Sequence, residues 1–435
     1  MATADAAALT PGWLTAQRWF RAKARPVASV TVVDAIRLTD VLELHVAEVG
    51  YLDGGASDRY LVPQADGAEP DDGDGAYRAL VAAMASGTEL AGRHGRLRCD
   101  ATPALAELLP SGDVAAEALE ERRLRVEQTN TSVVLGERLI LKLIRLLEPG
   151  LSPDVEVGRF LGRVGFAETP RLAGSATYIP AAGEPCTAAI LQAYAPASGD
   201  AWAQVTGMLG VGDLFGATRV AGQVGALTRR LHDALASARD DPAFPARPAT
   251  TDETAAWRAA ADKQLTAATA TLRGAEHDRL VAVAPAVRAA FADAFGRATG
   301  AATVSRIHGD YHLGQVLVVT GGHLVIDFEG EPARPLSERR AAASPLRDVA
   351  GMLRSLDYAA RGGALPAAAA DGWLAEARAA FCGAYGGIGP SEAALVDAFE
   401  LEKACYEVRY EANNRPDWLW LPLEALERSV AAASR

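Results

Sequence analysis

The first part of the chain alternates. In residues 27–38 (VASVTVVDAIRL) and 41–52 (VLELHVAEVGYL), apolar and β-branched residues recur at the period of half-buried strands. RYLVPQ (59–64) reads as a third strand, and the acidic, Gly-containing stretch from Ala65 to Gly75 as a solvated loop. A helical period takes over in YRALVAAMASG (77–87). A second strand-bearing region, from about 95 to 195, offers strands at SVVLGE (132–137), LILKLIR (139–145) and AAILQAYA (188–195). A helix is predicted there at PDVEVGRFLGRVG (153–165). After about residue 200 the apolar positions fall at helical spacing in Ala-rich segments. One strand pair interrupts them, QVLVV (315–319) and HLVIDF (323–328), joined by Thr320-Gly321-Gly322. The pattern predicts an α+β protein in three parts: a β-rich cap (1–90), an intermediate β-containing part (91–197) and a mostly helical part (198–435).

With 435 residues, 49% of them hydrophobic, the chain has ample material for more than one core. Forty-three basic residues against fifty-five acidic ones leave a formal charge of −12, which argues against nucleic acid or an anionic membrane as the main partner. No apolar run approaches the ~20 residues of a membrane span. The opening MATADAAALTPGWL lacks the basic and apolar regions of a signal peptide. Cys99, Cys186, Cys382 and Cys405 are scattered, without a C-x-x-C pair, and fit neither a disulfide framework nor a zinc site. These features predict a soluble cytoplasmic protein, and a monomer is expected. Only Lys23, Lys142, Lys263 and Lys403 are lysines, against abundant arginine, a skew of the kind that genomic GC bias produces. A lysine that survives such a bias marks a place where a compact ammonium is needed and a guanidinium does not fit.

The chemistry concentrates in His308-Gly309-Asp310-Tyr311-His312-Leu313-Gly314-Gln315 and, twelve residues on, Asp327-Phe328-Glu329-Gly330. Phosphoryl transfer needs one carboxylate to orient the acceptor hydroxyl and take its proton, and hard oxygen ligands for magnesium. In protein kinases the base Asp precedes a metal-binding Asn by five positions. Asp310 and Gln315 have that spacing, with Gln replacing Asn, and the hairpin returns the chain to Asp327 as second metal ligand. Lys142, on its predicted strand, and Glu156, on the next helix, are the candidates for the phosphate-binding lysine and its orienting carboxylate; a solvated helix face is the plain alternative for Glu156. Glu127-Gln128-Thr129-Asn130-Thr131-Ser132 has no G-x-G-x-x-G. Asn130, Thr131 and Ser132 either cover phosphates through small donors or form an ordinary polar turn. Backbone groups around Gln192 to Ala195, Tyr194 among them, have the position of an adenine-binding hinge. A β-rich half, a hinge-like strand and a helical half with one hairpin together describe a bilobal, protein-kinase-like fold.

At this point the residues resemble a known family. The catalytic loop is similar to that of aminoglycoside phosphotransferases. The segments QRWFRAK, VEQTNTSVVLGERLILKLIRLLEPGLSPDVEVGRFL, HGDYHLGQVL, VIDFEGEPARPLSERRAAASPLRDVAGMLRSLDYAA and YEVRYEANNRPDWLWLPL resemble the bacterial maltokinases more closely. The resemblance covers about Gln17 to Leu423. It implies an amino-terminal cap, an intermediate part completing the nucleotide site, a helical part binding the acceptor, and ATP with Mg2+. It also implies that Asp348 supports the catalytic loop from within; its plain reading is a helix cap or a core ion pair.

The family leaves the acceptor open between maltose, phosphorylated on its anomeric hydroxyl, and glucosamine, phosphorylated at the 6-hydroxyl by a related actinobacterial branch. Glu407 and Glu411 are four apart on one helical face, and two carboxylates near Asp310 suit an ammonium-bearing sugar. Asn414, Trp418 and Trp420 follow, and the tryptophans either stack on a sugar ring or belong to the core. His312 and Glu329 complete the expected acceptor pocket. The reading is an ATP-dependent kinase of glucosamine working by direct in-line transfer, with maltose as runner-up. An aminoglycoside phosphotransferase and a catalytically silent kinase-like partner module remain as further alternatives.

Overall fold

The computed structural model describes residues 9–65, 67–72, 74–109, 119–124, 129–238, 240–332, 334–362 and 365–433. Residues up to Pro196 form one compact unit and those from Ala197 a second.

The first unit starts with α1 (Pro11–Ala16), followed by an antiparallel sheet of β1 (Val27–Arg37), β2 (Leu42–Tyr51) and β3 (Asp58–Ala65) in sequential order. The alternation in the sequence is two-faced burial. Leu44, Val46 and Leu61 enter one core with Tyr77, Leu80, Val81 and Met84 of α2 (Ala76–Ala85). Ala47, Val49, Tyr60 and Val62 enter another with Leu14, Trp19 and Phe20. The remaining elements of this unit are β4 (Glu89–Ala91), β5 (Gly95–Ala101), α3 (Pro103–Leu108), β6 (Glu121–Leu124), β7 (Thr131–Leu135), β8 (Leu139–Leu143), α4 (Pro153–Val164), β9 (Leu172–Pro180) and β10 (Cys186–Ala193). Their strands form a seven-stranded sheet in the order β4-β5-β9-β10-β8-β7-β6. Strand β9 carries no bulky alternation because it lies deep in the sheet against β5. A Cβ on its Gly174 would stand 2.8 Å from the Asp100 carbonyl oxygen. Helix α4 starts where its chemistry says it should: the Ser152 hydroxyl accepts from the Asp154 N–H at 3.2 Å, Pro153 occupies the first position, and Gly165 ends the helix at φ +76°.

The second unit comprises β11 (Ala197–Asp200), α5 (Ala201–Gly210), α6 (Leu214–Leu235), β12 (Arg247–Pro248), α7 (Thr251–Thr271), α8 (Gly274–Ala298), β13 (Thr303–Val304), β14 (Val316–Val319), β15 (Gly322–Val325), α9 (Leu336–Arg340), α10 (Leu346–Arg361), α11 (Ala367–Tyr385), α12 (Pro390–Asn414) and α13 (Trp420–Ala433). β14 and β15 form the expected hairpin, Val316 opposite Val325, and β11 adds to the β14 edge. The second strand ends three residues earlier than its apolar run, because Asp327 leaves the extended region at φ +66°. Helix α10 is buried along most of its length, including the polar Asp348, Arg354, Ser355 and Asp357. Trp257, Phe291, Phe295 and Phe399 form an aromatic cluster that joins α7, α8 and α12. Among the described residues no helix is long and apolar enough to cross a membrane.

α6 and α11 meet backbone to backbone at Gly225, where an added Cβ would lie 2.2 Å from the Phe381 carbonyl oxygen. Gly225→Ala gains up to ~1 kcal/mol of helix propensity but forces the helices apart at an overpacking cost of roughly 1–3 kcal/mol. Net destabilisation is the expected outcome, read as a lower urea midpoint with an unchanged slope.

Candidate active site

The segment from His308 to Gln315, between β13 and β14, is held by side chains. The Asp348 carboxylate accepts the His308 N–H (2.8 Å) and the Gly309 N–H (2.9 Å), and His232 donates to it through Nε2 at 3.1 Å. The other ring nitrogen of His232 meets the Tyr385 hydroxyl at 3.0 Å. Burial pushes the Asp348 carboxyl up, but His232 and the backbone donors outweigh it and hold the group below the ordinary carboxylate range. Ser355 accepts the Leu313 N–H at 3.1 Å, and His312 Nδ1 accepts the Gly314 N–H at 3.1 Å. His308 donates through Nε2 to the Ile326 carbonyl at 2.8 Å, which fastens the loop to the strand leading to Asp327. There the Gln315 amide reaches Asp327 Oδ2 at 3.2 Å, and the Ile326 N–H meets the Gln315 carbonyl at 3.0 Å. An amide and a carboxylate, both hard oxygen donors, therefore stand side by side, fixed by the backbone pairing of Gln315 with Ile326.

Asp310 projects from this loop and is half-buried. Its Oδ1 lies 3.1 Å from the Lys403 ammonium on α12, and the same ammonium lies 3.3 Å from Glu331 Oε1 and over the Tyr406 ring. Burial raises the Asp310 carboxyl, but the charges of Lys403 and His312 outweigh it, and the group stays ionised below the ordinary range. Glu331 is set in the same way by burial against Lys403 and Arg334. Arg334 also bonds Glu402, which lies 2.9 Å from Arg347. These side chains, with Gln264, Tyr311, Asp348, Phe399 and Tyr406, line one cavity that includes Asp310. Four carboxylates face three cations there.

In the first unit, Lys142 stands on β8 between Ser132 of β7 and Ile190 of β10. Its ammonium lies 3.6 Å from Asp154 Oδ2, a buried carboxylate in the first turn of α4. Glu156 is in that same turn, two residues on, where helix geometry turns a side chain ~200° away from that of Asp154. Asn130 and Thr131 have acceptor oxygens committed to Arg145: Asn130 Oδ1 takes its N–H at 3.3 Å, and the Thr131 hydroxyl takes its Nε and Nη2 at 2.9 and 2.7 Å. Ser132 is buried. Arg145 also binds Glu69 and covers the Trp19 ring, so it ties this turn to the three-stranded sheet and its flank. Gln192 and Tyr194 lie at the end of β10, where the Tyr194 N–H is taken by the Arg138 carbonyl at 2.8 Å. Glu127 and Gln128 lie outside the described residues.

Residues 13–102 match the maltokinase N-terminal cap domain, and residues 120–393 match the phosphotransferase enzyme family. A glucosamine kinase of Streptacidiphilus jiangxiensis is 33% identical over 426 residues, 91% of each chain. The chain belongs to this phosphotransferase family. It is an ATP-dependent sugar kinase. A glucosamine kinase of Mycolicibacterium smegmatis is 29% identical over 70% of this chain and 78% of its own. Among solved structures, a glucosamine kinase in complex with glucosamine, ADP and inorganic phosphate superimposes with a TM-score of 0.70 at 28% identity, covering 98% of this chain and 99% of that one. A second crystal form of a glucosamine kinase gives 0.74 at 27% identity, covering 98% of both.

In this phosphotransferase the tail carboxylates are already matched. Arg354 binds Glu407 Oε2 through Nε and Nη2 at 3.0 and 2.6 Å, and Arg415 grips Glu411 with two bonds at 2.9 and 2.5 Å while Tyr358 donates a third. The expectation of two uncompensated carboxylates near Asp310 is corrected accordingly: neither residue lines the Asp310 cavity. Asn414 and Trp420 are exposed, and the Asn414 amide bonds the Tyr410 carbonyl at 2.8 Å. Glu329 is half-buried, and its carbonyl accepts from Arg339 at 3.2 Å. The sequence reading missed Glu331, Arg334, Lys403 and Asp154. Lys403 carried a signal, its membership of a set of four lysines, and Asp154 carried one too, its place as an acidic residue just after the helix-starting Ser152-Pro153.

Asp348→Ala leaves two buried backbone N–H groups and His232 without their shared acceptor. A loss of about 3–5 kcal/mol in urea unfolding is expected, with turnover falling in whatever fraction remains folded.

Proposed function

We propose that the protein transfers the γ-phosphoryl group of ATP to the 6-hydroxyl of glucosamine, giving glucosamine 6-phosphate and ADP in the cytoplasm. The observation that carries this reading is the likeness of the chain, over most of its length, to glucosamine kinases, one of them solved with glucosamine and ADP. The cavity at Asp310 is compatible with it: Asp310, Glu331 and Glu402 stand among Lys403, Arg334 and Arg347, while Asp348 is matched by His232 and two backbone N–H groups. Such a strongly polar, charged lining suits a small amino sugar that brings its own ammonium and hydroxyl groups.

In the proposed reaction Asp310 accepts a hydrogen bond from the 6-hydroxyl and orients it. The hydroxyl oxygen forms its bond to the γ-phosphorus as the bond to the β,γ-bridging oxygen breaks. ADP leaves with that electron pair, and the hydroxyl proton passes to Asp310. Lys142, held by Asp154 in the first turn of α4, the turn that also carries Glu156, binds phosphate oxygens. Gln315, through its amide oxygen, and Asp327, through its carboxylate, would hold Mg2+, since both offer hard oxygen donors and the two side chains already stand within hydrogen-bond reach. Bound there, the ion would neutralise charge on the phosphates. His312 and Glu329 shape the acceptor side. Glu411 contributes by fixing Arg415 against the rings of Tyr410 and Trp418. The cap (1–90), the nucleotide part (91–197) and the acceptor part (198–435) divide these tasks in one polypeptide, and a monomer suffices for them.

The test is ADP release with ATP and magnesium over glucosamine, maltose, glucose, N-acetylglucosamine and kanamycin. Glucosamine is expected to turn over at least about tenfold faster than maltose, and Asp310→Asn to lower the rate by roughly 100-fold or more. Turnover of maltose alone would make the protein a maltokinase, and turnover of kanamycin an aminoglycoside kinase. ATP binding without turnover of any sugar would leave a silent module.

A further inference from the structure

Lys403 is ninety-three positions from Asp310 in sequence and touches it in the fold. It stands on α12, outside every motif that predicts the reaction. Its surroundings are specific. Two of its three N–H donors have carboxylate partners, Asp310 Oδ1 at 3.1 Å and Glu331 Oε1 at 3.3 Å, and the charge sits 4.8 Å from the centre of the Tyr406 ring. Glu331 is in turn gripped by Arg334 at 2.7 Å, and Arg334 by Glu402 of α12. The ammonium is therefore anchored on the side away from Asp310 and does not depend on Asp310 for its position.

We propose that Lys403 is a positioning residue for the transfer step: it holds Oδ1 of Asp310, so that the carboxylate meets the acceptor hydroxyl through Oδ2. This rests on the reading of Asp310 as the base. A carboxylate on a loop has two equivalent oxygens and a broad terminal torsion. Fixing one oxygen with a charged donor selects one orientation for the other. A lysine suits the place because its compact ammonium meets Asp310 and Glu331 at a single point beside the Tyr406 ring, whereas a larger planar guanidinium would displace one of these neighbours. The same contact has an electrostatic consequence. The charged and titratable groups around Asp310 are Lys403 and Glu402 of α12, Glu331 and Arg334 of the loop after Asp327, Arg347 and Asp348 of α10, and His308 and His312 of its own loop. Among them Lys403 is the ammonium in direct contact, and it counters the burial that would otherwise raise the Asp310 carboxyl.

The experiment compares wild type, Lys403→Met, Lys403→Arg and Asp310→Asn. Lys403→Met is expected to lower kcat for the sugar by about 10- to 100-fold with KM for ATP within about twofold of wild type. The acid limb of its kcat/KM profile should move to higher pH, because a base no longer held ionised by its neighbour is lost sooner as pH falls. Lys403→Arg restores the charge but not the fit, so the limb should return toward wild type while kcat recovers only in part. Carboxyl carbon-13 NMR titration of aspartate-labelled protein, with the Asp310 signal assigned from Asp310→Asn, reads the same contact without turnover. An unmoved Asp310 titration and unmoved acid limb in a folded Lys403→Met protein overturn the proposal, even if kcat drops, and make Lys403 structural. Should Lys403→Met fail to fold, Lys403→Gln, checked by its melting curve and ATP binding, replaces it with the same expected and opposing results. If wild type turns over none of the sugars, the proposed function falls, while the NMR titration still decides the role of Lys403.

Discussion

A loop that carries Asp310 and Gln315, the base and a metal ligand of the proposed reaction, cannot be held by a regular ladder, since such residues have to face the reactants. Asp348 solves this problem in the second unit. Its carboxylate takes consecutive N–H groups of His308 and Gly309 and a third donor from His232. It stands in the first turn of α10, where unpaired helix N–H groups favour a negative charge. Burying that charge costs several kcal/mol, which is recovered only because every donor is in place. The rest of the unit follows from this arrangement. α10 has to be central, and Gly351 has to lack a side chain, because a Cβ there would lie 2.7 Å from the Tyr311 carbonyl oxygen. His232 on α6 and Tyr385 on α11 are drawn in as outer supports of the same carboxylate.

The elements that the sequence revealed are those whose signal is local. β1 to β3 alternate, α4 carries its own start and stop residues, and the β14–β15 hairpin has a Gly-containing turn between two apolar runs. The spacing from Asp310 to Gln315 and on to Asp327 is local in the same sense. β5 and β9 were hidden because small residues replace bulky ones where the two strands press together at Gly174. The partners of the site were hidden for another reason. Lys403 meets Asp310 across ninety-three positions, Arg354 meets Glu407 across fifty-three, and no periodicity encodes a contact between two elements. Glu407 and Glu411 illustrate the resulting error: their shared helical face was legible, but the arginines that occupy it were not.

Asn130 and Thr131 show how a legible location leaves a role open. Their place at the start of β7 is legible from small polar residues between strands, which reads either as a turn over phosphates or as an ordinary polar turn. The structure shows that both side-chain oxygens accept from Arg145, whose guanidinium also reaches Glu69 and the Leu61 carbonyl. Arg145 is three residues beyond Lys142, and its own carbonyl accepts the Leu61 N–H at 2.7 Å. The strand that bears Lys142 thus continues directly into an edge of the three-stranded sheet. Within the first unit the three-stranded sheet is bound to β7 and the end of β8 by a buried cation as well as by apolar packing.

Charge placement separates the two kinds of cation in a chain that uses arginine almost everywhere. Several arginines close two-pronged pairs with single carboxylates, as Arg279 does with Glu427, Arg378 with Glu400 and Arg415 with Glu411, while Arg334 joins Glu331 to Glu402. A guanidinium committed in this way leaves little free charge. Lys403 places one ammonium between carboxylates of two segments, and the Lys142 ammonium lies beside Asp154. An ammonium is a compact point charge that turns its three N–H groups among several neighbours, which a planar fork cannot do. On the proposed reading two of the four lysines serve the transfer, one at the phosphates and one at the base, and the sequence pattern points to only the first.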